Sequence, residues 1–140
     1  WKTQEKVRLV MDNLYQTGPA GICGNEDMGS LSSWYVLSAM GLYSVCPGQN
    51  IYIIGSPLFE QASINLKAPY EKGQFTIKAN NVSTKNKYIQ SATLNGKSFD
   101  RTWIRHSEIV SGGILIFEMG PQPNKEWATG PESAPPVLNE

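Results

Sequence analysis

At 140 residues, with 40% hydrophobic and 17% charged side chains, the chain has the size and composition of one ordinary folded domain, long enough to bury a core. Twelve Lys and Arg balance twelve Asp and Glu, and no basic run offsets that balance locally, which argues against nucleic acid as a partner. No stretch approaches the roughly eighteen apolar residues of a membrane span, and the opening Trp1-Lys-Thr-Gln is neither an initiating Met nor a signal peptide, so the chain reads as a fragment or processed piece of undetermined compartment.

Val7, Val10, Met11 and Leu14 recur at three and four residues behind Thr3, a candidate N-cap, and Gly18-Pro19 closes the segment. Lys2 to Gln16 is therefore expected to be one amphipathic helix. Ser30 to Met40 is expected to be a second. Leu31, Trp34, Tyr35, Val36, Leu37, Ala39 and Met40 cover most of its circumference, the pattern of a helix buried among others, and two helices in about forty residues cannot enclose it. Further helices of the same layer are expected upstream of Trp1. On such a helix Trp34 and Tyr35 read as core rather than as a platform for sugar.

Between the two helices lies Gly21-Ile-Cys-Gly-Asn-Glu-Asp-Met-Gly-Ser30, which holds the only adjacent acidic pair in the chain. Asn25, Glu26 and Asp27 stand directly before the apolar helix, and Gly24 and Gly29 bracket them so that backbone can approach a ligand closely. A carboxylate here is favoured by the helix dipole and by free N–H groups. On spacing alone Asp27 is as good a helix cap as a chemical group, since Asp, Asn and Ser all cap well.

After Gly41 the pattern changes. Cys46-Pro-Gly-Gln-Asn50 is a turn cluster, followed by short β-branched or aromatic runs at Ile51 to Ile54, Ala62 to Leu66, Gln74 to Ala79, Tyr88 to Leu94, Trp103 to Ile104 and Gly113 to Met119. These predict an antiparallel β region. Asn95-Gly96 predicts a type I′ hairpin between Ala92-Thr-Leu94 and Lys97-Ser-Phe99, and Ser111-Gly112-Gly113 turns the chain into the apolar Ile114-Leu-Ile-Phe117, expected to be a central strand. From Gly120, Pro121, Pro123, Pro131, Pro135 and Pro136 deny a ladder its donors, so the tail is expected to run over a surface or lack fixed structure. Cys23 and Cys46 are either one bridge or two buried thiols, the thiols being favoured. Asn81-Val82-Ser83 fits the N-glycosylation pattern, with chance the better explanation. His106, with only Glu108 near it, reads as structural or surface rather than metal-binding.

The run from Pro19 to Tyr43, then Cys46-Pro-Gly and Tyr52-Ile-Ile-Gly-Ser-Pro-Leu-Phe59, resembles the C-terminal part of glycoside hydrolase family 92, the calcium-dependent exo-acting α-mannosidases, most often α-1,2-mannosidases. The resemblance continues through Trp1-Lys-Thr-Gln, the Tyr88 to Lys97 hairpin, His106 with Gly112-Gly113, Leu115-Ile-Phe117, Met119-Gly-Pro, Pro123-Asn124 and Trp127. It implies an α+β chain: residues 1–45 supply the last helices of an (α/α)6 catalytic barrel and residues 46–140 a sandwich-like antiparallel β region with a Pro-rich tail. It implies an inverting glycosidase acting on terminal mannose of mannans or N-glycans, with the missing N-terminal part of the same enzyme as a further partner. For a bacterial source it implies the periplasm, the cell surface or secretion.

Residue by residue, the resemblance puts the general base on Asp27. Acid and base of an inverting glycosidase stand roughly 6.5–9.5 Å apart to admit water, so the neighbours Glu26 and Asp27 should not be that pair, and the acid is expected upstream. Many relatives carry Asp where this chain has Asn25, which as an amide is at most an orienting partner or an oxygen donor to metal. Glu26 is expected to bind substrate or support the site, and most calcium ligands to lie upstream. The fragment alone should be inactive. An alternative takes the β region as an accessory module holding glycan through Tyr70, Trp103 or Trp127, or as a purely structural domain.

Overall fold

The computed structural model describes residues 1–70 and 73–137. Helix α1 runs Lys2–Leu14, but Trp1 occupies its N-cap with no side-chain bond, so Thr3 lies inside the helix rather than capping it. It stops two residues before Gln16 because Tyr15 turns extended (φ −121°, ψ 131°) and pairs with Ile22. The buried stripe of α1 is Gln4, Arg8 and Met11, not the apolar series Val7, Val10, Met11, Leu14. Leu14 is exposed, and only Met11 belongs to both stripes.

The reason is hydrogen bonding. The Ile89 N–H donates to Gln4 Oε1 at 3.0 Å, while Arg8 Nη1 donates to the Pro57 carbonyl at 3.0 Å and Arg8 Nη2 to the Ser83 carbonyl at 3.2 Å. The β region thus presents backbone groups that would otherwise be unpaired, and the helix rotates its polar side chains onto them. Arg8 is 2% exposed. Burial lowers its pKa from the ordinary value, an effect that nearby Asp12 opposes.

Helix α2 spans Ser30–Ala39 and buries only Ser38 and Ala39. Its all-round apolar surface is not enclosed in this chain: Val36 is 58% exposed, and Trp34 and Tyr35 are half-buried. Trp34 stacks on Tyr15 and Tyr35 packs tilted against it, with ring centroids 5.5 and 4.9 Å away. At its far end the Leu58 N–H donates to the Ala39 carbonyl (2.9 Å), tying the helix to the chain beyond the first strands.

The strands are β1 (Leu42–Tyr43), β2 (Ile51–Ile54), β3 (Gln61–Asn65), β4 (Gln74–Asn80), β5 (Tyr88–Leu94), β6 (Lys97–Ser98), β7 (Trp103–Arg105) and β8 (Gly113–Gly120), with a short helix α3 (His106–Val110) before β8. They form a three-stranded sheet ordered β1-β2-β7 and a five-stranded sheet ordered β3-β4-β8-β5-β6. Phe75, Ile77 and Ala79 of β4 alternate inward with Leu115, Phe117 and Met119 of β8, and meet Leu42, Ile54 and Ile104 of the smaller sheet in one core. Asn95 (φ 51°) and Gly96 (φ 78°) both take the positive φ of a type I′ turn between β5 and β6.

The region is not wholly antiparallel. β8 is the central strand, but it pairs parallel with β4, from Phe75 opposite Gly113 to Asn80 opposite Glu118, and antiparallel with β5. Its chain arrives after α3 and inserts between two strands already laid down, and the direction of that insertion is a tertiary fact that no local pattern encodes. After Gly120 the tail adds no strand among the described residues. It is tied across the surface by Asn124 Nδ2 to the Gln90 carbonyl (2.8 Å), Trp127 Nε1 to the Phe99 carbonyl (3.1 Å) and the Thr102 N–H to the Ser133 carbonyl (3.0 Å); residues 138–140 lie outside the described residues.

Truncating Arg8 to Ala removes both guanidinium bonds and leaves the buried Pro57 carbonyl without its partner. A loss of about 3 kcal/mol is expected, since hydrogen bonds to charged groups each contribute about 1.5–3 kcal/mol, read as a lower denaturation midpoint at unchanged slope.

Candidate active site

The segment joining the helices is built before it reaches its acidic residues. Tyr15 pairs with Ile22, the Gln16 N–H donates to the Gly21 carbonyl at 2.8 Å, and the Gly21 N–H donates to the Gly18 carbonyl at 3.0 Å. A Cβ on Gly21 would collide with the Gln16 carbonyl oxygen, so only glycine closes this small hairpin. The Tyr15 hydroxyl donates to the Leu31 carbonyl at 3.1 Å. Burial, reinforced by Cys23, Glu26 and Tyr43, raises its pKa and so keeps the phenol proton in that bond.

Asp27 (φ 50°), Met28 (φ 59°) and Gly29 (φ 88°) are then left-handed in succession. Each non-glycine residue there is disfavoured by roughly 1–2 kcal/mol, so something must hold them. The hydrogen bonds of the α2 N-terminus do. Ser30 N–H donates to the Asp27 carbonyl (3.2 Å), Leu31 N–H to the Glu26 carbonyl (3.3 Å) and Ser32 N–H to Glu26 Oε1 (3.0 Å). The first three N–H groups of the helix, which have no partner within it, are all satisfied from this loop.

This arrangement separates the two acids. Gly29 is the N-cap residue and Glu26 supplies the side-chain cap, so Asp27 does not cap the helix through its side chain. Glu26 is half-buried, with Oε2 shut away from solvent and unpartnered. Asp27 and Asn25 are exposed, and neither side chain makes a hydrogen bond among the described residues. An open depression of about 400 Å³ lies alongside, lined by Tyr15, Thr17, Ile22, Ser32, Tyr35 and Val36 among others, but not by Asn25, Glu26 or Asp27. Tyr15 and Gly21 are the contributors that periodicity concealed, Tyr15 because it looked like the last turn of α1.

The other candidates are spent on structure. Trp103 is buried between Arg101 and Arg105, whose guanidinium carbons lie 4.7 and 4.9 Å from its ring centroid. Trp127 is half-buried with its N–H bonded, so of the three aromatics considered for glycan binding only Tyr70, 42% exposed, is open. His106 Nδ1 lies 3.3 Å from the Tyr52 hydroxyl, and Glu108 pairs with Arg101 and accepts the Arg105 N–H. No group of three or more His, Cys, Asp or Glu among the described residues is arranged to hold a metal ion. To the calcium implied by resemblance, the loop could offer the side-chain oxygens of Asn25, Glu26 and Asp27. Cys23 and Cys46 are free and, contrary to the expectation of buried thiols, both exposed.

Residues 1–121 match the model of the glycosyl hydrolase family 92 catalytic domain. The chain belongs to this family. It is 45% identical to a family 92 inverting mannosidase of Bacteroides thetaiotaomicron, whose structure superposes with a TM-score of 0.88 over 96% of this chain and 18% of that one. A second family 92 α-mannosidase of that organism, solved with mannoimidazole, is 34% identical with a TM-score of 0.90, over 99% of this chain and 18% of its own. A protein of Arthroderma benhamiae described as an uncharacterized secreted glycosidase is 42% identical over 136 residues, which is 96% of this chain and 17% of the relative. The chain thus spans less than a fifth of the length of these relatives. No helix among the described residues is long and apolar enough to cross a membrane.

Free, exposed cysteines predict that a chromogenic disulfide reagent titrates two thiols in the native protein without denaturant and without prior reduction.

Proposed function

We propose that this chain is the C-terminal portion of a secreted or otherwise extracytoplasmic α-mannosidase that removes terminal mannose from mannans or N-glycans, with α-1,2 linkages as the preferred substrate, and inverts the anomeric centre. Family membership and the two mannosidase neighbours support the substrate class; the secreted relative supports the location. Residues 1–45 are assigned to the end of an (α/α)6 barrel and residues 46–140 to the terminal β region. The bare apolar surface of α2 supports the barrel, because a helix apolar on all sides needs neighbours on all sides.

Asp27 is assigned as the general base. The observation that carries this is the division of labour in the loop: the cap is Glu26, leaving Asp27 with a carboxylate that is exposed and committed to nothing. In the reaction, Asp27 takes a proton from water as the water oxygen bonds to the anomeric carbon. The bond from that carbon to the departing oxygen breaks on the opposite face, and that oxygen receives the acid's proton. The acid belongs to the part of the enzyme outside these residues. Calcium is retained as a requirement of the whole enzyme, with its ligands mostly outside this chain. Asn25, an amide, is assigned to orienting the site.

With the acid absent, the purified 140-residue chain is expected to release no mannose from mannobiosides; reproducible turnover would overturn the assignment. In the intact enzyme, Asp27→Asn is expected to lower kcat by about 10²- to 10⁴-fold, the usual worth of a positioned base, with KM within a few-fold. Thermal stability should hold, because the Asp27 side chain caps nothing. Near-normal turnover would remove Asp27 from the chemistry.

A further inference from the structure

We propose that Glu26 is a positioning residue, the strut that fixes the backbone from which Asp27 projects, and that it does not contact the sugar. The inference rests on Asp27 being the base. Glu26 grips α2 twice, through its carbonyl to Leu31 N–H at 3.3 Å and through Oε1 to Ser32 N–H at 3.0 Å. Everything between those anchors and the helix is the left-handed run Asp27, Met28, Gly29. L-residues leave that region when nothing holds them, and a change of φ at Asp27 swings its Cα–Cβ bond away from wherever the loop now aims it.

The same geometry removes Glu26 from direct contact. One oxygen already accepts from the helix and the other is shut away from solvent, so the carboxylate is turned to α2 rather than held out free to solution. Asp27, one residue on, has the opposite character, exposed and unbonded. Adjacent acids therefore divide into one that builds and one that reacts, which is why their being neighbours does not conflict with the wide separation an inverting acid and base require. What Glu26 supplies is reach to the Ser32 N–H, and negative charge is secondary to that reach.

Reach and charge are separable in the intact enzyme. Glu26→Gln keeps the length and an amide oxygen that can accept from Ser32 while removing the charge; Glu26→Asp keeps the charge and shortens the arm. The strut predicts that Glu26→Gln retains kcat within a few-fold with an unchanged pH profile. It predicts that Glu26→Asp loses about 10- to 100-fold in kcat at little-changed KM, the scale of a catalytic group displaced by about 1 Å. Amide exchange at Ser32 should accelerate in Glu26→Asp only. The reverse order, Gln crippled and Asp active, overturns the proposal, as does unchanged Ser32 exchange in Glu26→Asp. Asp27→Asn is the separate control: if that variant stays active the base assignment fails, while the Ser32 exchange still judges the strut.

Discussion

The helical and β parts of this chain are held together by polar side chains reaching across to backbone. Arg8 binds the Pro57 and Ser83 carbonyls and Gln4 accepts from Ile89, so one helix face joins three separate segments of the β region. No acidic side chain pairs with Arg8 among the described residues, and its partners are carbonyl dipoles. An apolar interface would tolerate sliding by a fraction of a turn. Directional bonds at fixed positions along a helix do not, since each donor reaches its acceptor at one rotation and one height only. The end of α1 is thereby set, and with it Tyr15 and the hairpin that launches the acidic loop.

From that fixed point the loop is a chain of dependencies. Tyr15 and Ile22 close the hairpin, Gly21 makes the closure sterically possible, and Glu26 catches the α2 N-terminus. The unfavourable left-handed backbone at Asp27 and Met28 persists because both ends are pinned. Strain of this kind concentrates where a side chain must be aimed, and here it falls on the proposed base and its neighbour.

Much of this was legible in the sequence, and the failures share one cause. Elements written in local pattern came through well: both helices, the strands at Ile51–Ile54 and Tyr88–Leu94, the Asn95-Gly96 turn and the central place of β8. What depended on partners distant in sequence did not. The face α1 buries is decided by unpaired carbonyls at Pro57 and Ser83, which hydrophobic periodicity cannot see. The parallel pairing of β8 with β4 is decided by where a late strand finds room. Helix α3 was missed because five residues are too few to show a period, although Glu108 reaching back to the Arg105 N–H is a local capping signal. In the loop, spacing alone offers Asp27 as the cap, whereas the helix is capped by Glu26, six residues before the N–H it binds, a spacing outside the usual Ncap pattern.

The late arrival of β8 governs how the β region can be made. β8 separates β4 from β5 and supplies the middle of the sheet, yet it comes last of the strands among the described residues. Until Ile114 to Phe117 has emerged during synthesis, β4 and β5 have no strand between them, and each offers a row of unpaired backbone groups beside apolar side chains. Closing the sheet requires contacts spanning from Phe75 to Gly113, the kind of non-local pairing that slows folding and prolongs the time in which open edges can capture another chain. A nascent or truncated chain stopped short of β8 is therefore an aggregation hazard. The last strand acts as the keystone of the assembly: the sheet is unfinished until it is inserted, and insertion removes two open edges in one event.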